Sequence, residues 1–466
     1  MVIEQIYTDC LSQGSYYIES NGEAAIIDPL REIDSYIEKA KKNNVKIKYI
    51  FETHFHADFV SGHLSLSKST GAPIIFGPNA YTSFESIIAK DGEVFKIGSI
   101  TIKALHTPGH TMESTTYLLR NSKGKNHAIF TGDTLFLGDV GRPDLSQKSS
   151  KLKKEDLAGI LYESIKKKII PLSDDIIVYP AHGAGSACGK NLSEKTFGTL
   201  GEQKRTNYAL RANIKKEEFI REVLEGLDSA PKYFNQNVKL NKEGCQDVNI
   251  IIEKVKKGLN PSEFEIILNE FKALILDVRS KGEFSKAHIP GSIFIGLNGS
   301  FAPWVGTILE DVKTPILIVS PNGREEETIT RLARVGFDNS LGYLKGGINN
   351  WMSSGRVTEK INSINVLDFE KIYKKESLLI YDVRKKDEFY NESLTDSFNL
   401  PLNNIQTNLN KFSKNSKFYI HCRTGYRSLI TCSYLKSKGF KKIVNIESGF
   451  EGIKKTNIKI TNLISI

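Results

Sequence analysis

Lys46-Ile47-Lys48-Tyr49-Ile50-Phe51-Glu52-Thr53-His54-Phe55-His56-Ala57-Asp58-Phe59 is the stretch on which the architecture of the first half of the chain turns. Residues 47–51 read as a buried strand, an apolar run of strand length. The two histidines and the aspartate follow directly, so their side chains are expected at one rim of a sheet. Imidazole nitrogen and carboxylate oxygen are donors that borderline divalent metals accept. A lone buried histidine is more often a satisfied core residue, so the triplet needs company. Three further turns supply it: Thr107-Pro108-Gly109-His110-Thr111, Thr131-Gly132-Asp133-Thr134 and Pro180-Ala181-His182-Gly183. Each follows an apolar strand, and each offers His or Asp. Four such turns point to one shared metal site.

Working outward, strands are expected over residues 3–7, 15–19, 24–28, 100–105, 115–119 and 128–131, with a helix over 33–42. Strands in runs with occasional helices imply layered α/β architecture. Residues 232–258 show no clean period and read as the tail of this domain plus a linker.

The rest of the chain is one unit written twice. Asp277-Val278-Arg279 has Glu283-Phe284 six residues after the Asp, and Asp382-Val383-Arg384 has Glu388-Phe389 at the same offset. Ser320-Pro321-Asn322-Gly323 begins 43 residues beyond Asp277, and Cys422-Arg423-Thr424-Gly425 begins 40 beyond Asp382. Each copy is about 100 residues, the size of one compact domain. The expected domains are 1–258, 259–360 and 361–466.

In the last copy, residues 417–420 read as a buried strand and 428–436 as the start of a helix. A cysteine opening the loop between them faces successive backbone N–H groups and the positive end of the helix. Both stabilise an anion, so Cys422 is the expected nucleophile. Gly425 lets the loop curl, and Arg427 adds a fixed positive charge. In the middle copy Ser320 stands at the cysteine position and Glu325 at that of Arg427. A hydroxyl is a poor sulfur carrier and an acidic side chain repels an anion, so this copy reads as inactive, a scaffold or an oligomer contact.

Composition narrows the class. The chain has 466 residues, 39% apolar and 25% charged, with a net charge of +10. The excess is Lys scattered through Lys/Asn/Ile-rich stretches without any nucleic-acid-binding motif, so no nucleic-acid partner is expected. No apolar run approaches the roughly 20 residues that span a bilayer. Residues 1–8 alternate like a strand rather than a signal peptide, so a cytoplasmic location and no membrane partner are expected. Five widely spaced cysteines argue against a disulfide framework.

The four His/Asp turns, in this order, resemble the metallo-β-lactamase superfamily, which implies an αββα sandwich with the metal at one edge. In its two-metal hydrolases a His follows the Asp of the first motif; here that position is Phe59. The pattern is most similar to the persulfide dioxygenases, which implies one Fe(2+) per chain held by His54, His110 and Asp133. Such a facial triad leaves open positions. His56, Asp58 and His182 would then orient ligands or waters. Gly141-Arg142-Pro143-Asp144 also fits that pattern: Arg142 is expected either to meet a substrate carboxylate or to form a loop ion pair, and Thr111 to line the substrate site. Cys188, six residues after His182, is a possible sulfur acceptor. The Cys-x-x-Gly-x-Arg loop resembles that of the rhodaneses, with Arg423 and Gly425 binding substrate.

The whole order resembles bacterial persulfide dioxygenase–sulfurtransferase fusions. The implied chemistry is oxidation of a small thiol persulfide with O2 to sulfite, and transfer of persulfide sulfur between Cys422 and sulfite or thiosulfate, by an expected homo-oligomer. A dinuclear zinc thioester hydrolase of the glyoxalase-II type and a sulfur carrier with a weak first domain stay open.

Overall fold

Strands form where the alternation placed them, with ends moved by at most two residues. In the computed structural model, which describes residues 1–145, 147–227 and 230–462, Val2–Thr8, Gln13–Ser20 and Glu23–Ile27 make an antiparallel meander. Helix Asp34–Lys42 is the crossover that lets Lys46–Phe51 pair parallel to Glu23–Ile27. Ile74–Phe76 and Ile87–Ile88 complete this six-stranded sheet. A second sheet runs in the order Gly198–Thr199, Ile177–Pro180, Asn126–Gly132, Thr115–Arg120, Ile100–His106, Val94–Ile97.

The period of two along its central strands explains how the layers stack. Tyr117, Leu119, Ala128 and Phe130 meet Tyr16, Ile18, Ile27 and Phe51 of the first sheet. Leu118 and Ile129 face the other way, onto Leu161, Ile165, Phe219 and Val223 of the elements outside. Helices Asp34–Lys42 and His63–Thr70 lie on strand Lys46–Phe51. The result is the expected helix–sheet–sheet–helix sandwich. Each fully buried large apolar side chain in it is worth about 1.5–3 kcal/mol.

Residues 232–258, read as the tail of the first domain plus a linker, contain two helices, and the first unit runs on through Ile251. They form helices Phe234–Glu243 and Val248–Val255, and Asn237 and Asn241 of the first are buried. Two buried amides interrupt the apolar period, which is why the segment read as a linker.

The chain divides into two units: Met1–Ile251 with Glu310–Val312 and Leu332–Gly336, and the remainder from Ile252. The second unit contains two parallel sheets. One runs Ile293–Phe294, Leu274–Asp277, Ile316–Val319, Ser340–Tyr343; the other runs Ser363–Ile364, Ile443–Ile446, Phe418–His421, Ile380–Asp382, Ser397–Asn399. The Asp of each Asp-Val-Arg ends a central strand, as the repeat required. Among the described residues no helix is long and apolar enough to cross a membrane.

Candidate metal centre and thiol loop

The first unit brings its predicted residues together. The donor atoms of His54, His110 and Asp133 lie within 4.8 Å of one another and are buried. His110 Nδ1 is 2.9 Å from the carbonyl of Arg142, which leaves Nε2 to point inward, 3.4 Å from Asp133 Oδ2. His54 Nδ1 is 3.0 Å from Thr53 Oγ1, and its Nε2 lies 3.8 Å from the same carboxylate oxygen. These separations are long for hydrogen bonds, and both Asp133 oxygens are buried without a hydrogen-bond partner. Donors each about 2.1 Å from a shared ion sit roughly 3–3.5 Å apart. The triad therefore fits a metal, which would satisfy the orphaned oxygens. Burial, followed by the neighbouring His56, His110 and His182, holds His54 well below the ordinary histidine range, in the neutral form that ligates.

The backbone is shaped to this end. Gly132 has φ +53°, and a Cβ there would come 2.5 Å from Thr53 Oγ1. A side chain at that turn would displace both Asp133 and the His54 loop.

A second donor group adjoins the first. His182 Nε2 lies 3.5 Å from Asp58 Oδ2 and 3.5 Å from Asp133 Oδ1, and Cys188 joins Asp133 and His182 within 4.8 Å. The sequence put Cys188 only in the neighbourhood; the structure puts its sulfur among the donors. Burial, then the Asp58 and Asp133 charges, pushes its thiol up to about 12, a direction that a dication at the site would reverse. Burial opposes charge on His182, but Asp58 and Asp133 outweigh it and hold the ring well above the ordinary histidine range. Phe59 is fully buried with its ring 4.4 Å from that of His56 and offers no donor, while His56, Asp58 and His182 bring three donor atoms within 4.8 Å of one another.

His56 faces Asp28 and Glu52, at 3.1 and 3.6 Å from Nε2, and these carboxylates outweigh burial to raise it to about 9. Asp28 in turn accepts from Thr53 N and Oγ1. Asn241 completes the cage: its amide donates to the carbonyls of His56 and Phe59, at 2.8 and 2.9 Å, and accepts from Ser61 N. Asn241 was missed because its helix was missed.

Arg142 and Thr111 both support the turn that carries His110. Arg142 is 4% exposed, and its guanidinium is bound bidentately by Asp144 and donates to Ala187 O, so the loop ion pair is what forms. The arginine contributes through its carbonyl, which sets the His110 ring. Thr111 Oγ1 is 2.7 Å from Ser114 Oγ, which ties down the turn carrying His110.

In the second unit, Cys422 ends strand Phe418–His421 and is 1% exposed. Its Sγ accepts from Gly425 N at 3.2 Å and has Ser428 Oγ at 3.7 Å; Gly425, at φ +93°, caps helix Tyr426–Ser437. This is the expected cradle. Arg427 departs from expectation: Glu388 binds it bidentately at 2.5 and 2.8 Å, so it anchors the loop rather than offering free charge. Arg423 is exposed and paired with Glu451. A cavity of about 410 Å³ beside the loop is lined by Val366, Leu367, Thr424, Ser448, Glu451 and Lys455.

Residues 8–182 match the metallo-beta-lactamase superfamily, and 260–354 and 366–456 each match the rhodanese-like domain. A crystal structure of a metallo-beta-lactamase from Staphylococcus aureus subsp. aureus COL is 30% identical with a TM-score of 0.64, spanning 73% of this chain and 98% of that one. The chain belongs to the metallo-beta-lactamase superfamily. To this superfamily fold it adds two rhodanese-like domains. The superfamily's relatives split by activity. Hydroxyacylglutathione hydrolase GloC of Haemophilus influenzae is 28% identical over 230 residues, 44% of this chain and 97% of that protein. Persulfide dioxygenase ETHE1 of Homo sapiens is 28% identical over 203 residues, 43% of this chain and 70% of that protein. Against two probable hydroxyacylglutathione hydrolases of fission yeast the chain spans 58% to 60% of their length. The His/Asp centre is thus the metal-binding site of a metallo-beta-lactamase fold.

Proposed function

We propose that this superfamily member is a persulfide dioxygenase joined to a sulfurtransferase. The observation that carries the reading is Phe59, which stands where the two-metal hydrolases of the superfamily place a histidine and packs its ring on His56, beside the complete donor set of His54, His110 and Asp133. His54, His110 and Asp133 would hold ferrous iron, one per chain, which when bound supplies the activation of O2 that no side chain provides. The chain's own residues do the rest. The carbonyl of Arg142 and the hydroxyl of Thr53 fix the two imidazoles, Asp58 and His182 lie 3.5 Å apart beside Asp133, and the buried surroundings exclude water.

The overall reaction takes R–S–SH, one O2 and one water to R–SH, sulfite and two protons. The S–S bond breaks, the outer sulfur loses four electrons, and O2 gains them. At the second site the Cys422 thiolate attacks the outer sulfur of a persulfide and releases R–SH. Sulfite then attacks the sulfur carried on Cys422, giving thiosulfate and the free thiolate. Two sites on one chain would raise the local concentration of the intermediate. Sulfide detoxification is the purpose this pairing serves.

A second reading, a thioester hydrolase with two zinc ions, is favoured by the Asp58, Asp133, His182 and Cys188 group and by the similarity to GloC. Oxygen uptake on a synthetic thiol persulfide separates the two. One O2 consumed per sulfite and thiosulfate formed, counted together, supports the dioxygenase; persulfide left intact with no oxygen consumed refutes it.

A further inference from the structure

The copy without a cysteine is packed onto the thiol loop of the copy that has one, within the same unit. Tyr426, the first residue of the loop helix, is half-buried and donates from its hydroxyl to the carbonyl of Gly296 at 2.8 Å. Its ring stands edge-on to Phe294, and a Cβ on Gly299 would come 2.5 Å from it. Two turns further along, Ser433 Oγ accepts from Phe294 N. The middle domain therefore grips the helix whose start forms the anion cradle.

One peptide plane carries the grip into the chemistry. The Thr424 carbonyl and the Gly425 N–H belong to the same amide, and in a trans peptide they point in opposite directions. The N–H end donates to Cys422 Sγ at 3.2 Å. The carbonyl end accepts from Lys281 Nζ of the middle domain at 2.9 Å. That nitrogen also lies 3.7 Å from where a Cβ on Gly425 would be. Both arginines of the loop are neutralised, Arg423 by Glu451 and Arg427 by Glu388, whereas Lys281 forms no ion pair among the described residues. An ammonium on the carbonyl holds the amide's orientation and withdraws electrons from its N–H. Both effects strengthen the hydrogen bond that receives charge on sulfur.

We propose that Lys281 of the cysteine-free rhodanese domain is a positioning residue for Cys422, acting through the Thr424–Gly425 peptide. The middle domain is on this account a working part of the sulfurtransferase site. The proposal rests on the sulfurtransferase reading for its rate assay but not for its chemical one.

The test uses the full chain with Lys281→Met, which keeps the length and loses the donor, and Lys281→Arg, which keeps a cation in reach. Transfer from thiosulfate to cyanide should show kcat about fivefold lower in Lys281→Met with KM for thiosulfate unchanged, and recovery in Lys281→Arg. Alkylation of Cys422 by iodoacetamide, followed on its own peptide by mass spectrometry, should slow by a similar factor and recover in parallel. Gly299→Ala, which displaces Tyr426 from the other side, should slow alkylation as well. Equal alkylation and equal kcat in Lys281→Met and the parent would overturn the proposal. So would a rise in KM alone, the mark of a lysine that only attracts the anion. If the parent transfers no sulfur from thiosulfate, the sulfurtransferase reading fails, and the alkylation series still decides the role of Lys281.

Discussion

In both rhodanese-like copies the aspartate ending the first central strand grips the arginine two residues on. Arg279 donates to both oxygens of Asp277 and to Ala287 O; Arg384 does the same with Asp382 and Glu392 O. The turn before the loop helix is also shared, with Gly323 at φ +82° and Gly425 at +93°. The copies differ in chemistry at the loop itself. Cys422 Sγ receives an N–H, whereas Ser320 Oγ is spent on Pro321 O and Thr328 Oγ1, both at 3.2 Å. Pro321 has no N–H to give. Helix Glu325–Arg334 opens on three glutamates where Tyr426–Ser437 opens on Tyr, Arg and Ser. A loop of the right shape is thus insufficient: reactivity needs the sulfur, the free N–H groups and the absence of negative charge at the helix start.

The sharpest way to test that contrast is to exchange the two head atoms. Cys422→Ser is expected to lower sulfur transfer on the order of 1,000-fold or more, because the hydroxyl is not ionised at neutral pH. Oxygen uptake should be unchanged, as read on an oxygen electrode. Adding Ser320→Cys to that variant should restore no transfer, since the new thiol faces Pro321 and three glutamates; measurable thiocyanate formation would break the comparison.

The shared buried pair gives the next largest effect. Asp277→Asn and Asp382→Asn each leave a buried guanidinium without its counter-charge, at a cost of about 3–5 kcal/mol, measurable by denaturant unfolding. At a temperature where both variants stay folded, Asp382→Asn is expected to impair transfer more than Asp277→Asn.

Glu388→Gln should have the smallest effect, about 1–3 kcal/mol at pH 7, by unpairing Arg427. Burial alone would raise Glu388, but Arg427 holds its carboxyl below the usual range. Its folded pKa is depressed, so its contribution is complete above the unfolded value and is lost as pH falls through the folded one. Melting temperatures of parent and variant should therefore converge only as pH falls through that depressed value, below the ordinary glutamate range.

The sequence carried the strands, the four metal turns and the repeat, because each is a local pattern of apolar period and turn residues. What it withheld was side-chain direction. His54 and His56 lie two residues apart and read alike, yet one joins Asp133 and the other Asp28 and Glu52. Arg427 and Glu388 were both visible, but only the fold brings a residue 39 positions away into a bidentate pair. Asn241 left no signal, because a buried amide on a short helix breaks the pattern by which helices are found. Phe59 was the opposite case: its identity was informative at once, and its burial against His56 gave that identity a physical meaning.

The central claim is the single iron, and it is tested by metal content measured beside oxygen consumption on protein purified without air and loaded with ferrous iron. About one iron per chain is expected, with thiol persulfide driving oxygen uptake and sulfite or thiosulfate appearing. About two zinc per chain, with thioester hydrolysis and no oxygen uptake, would contradict it and make the Asp58, His182 and Cys188 group a second metal site.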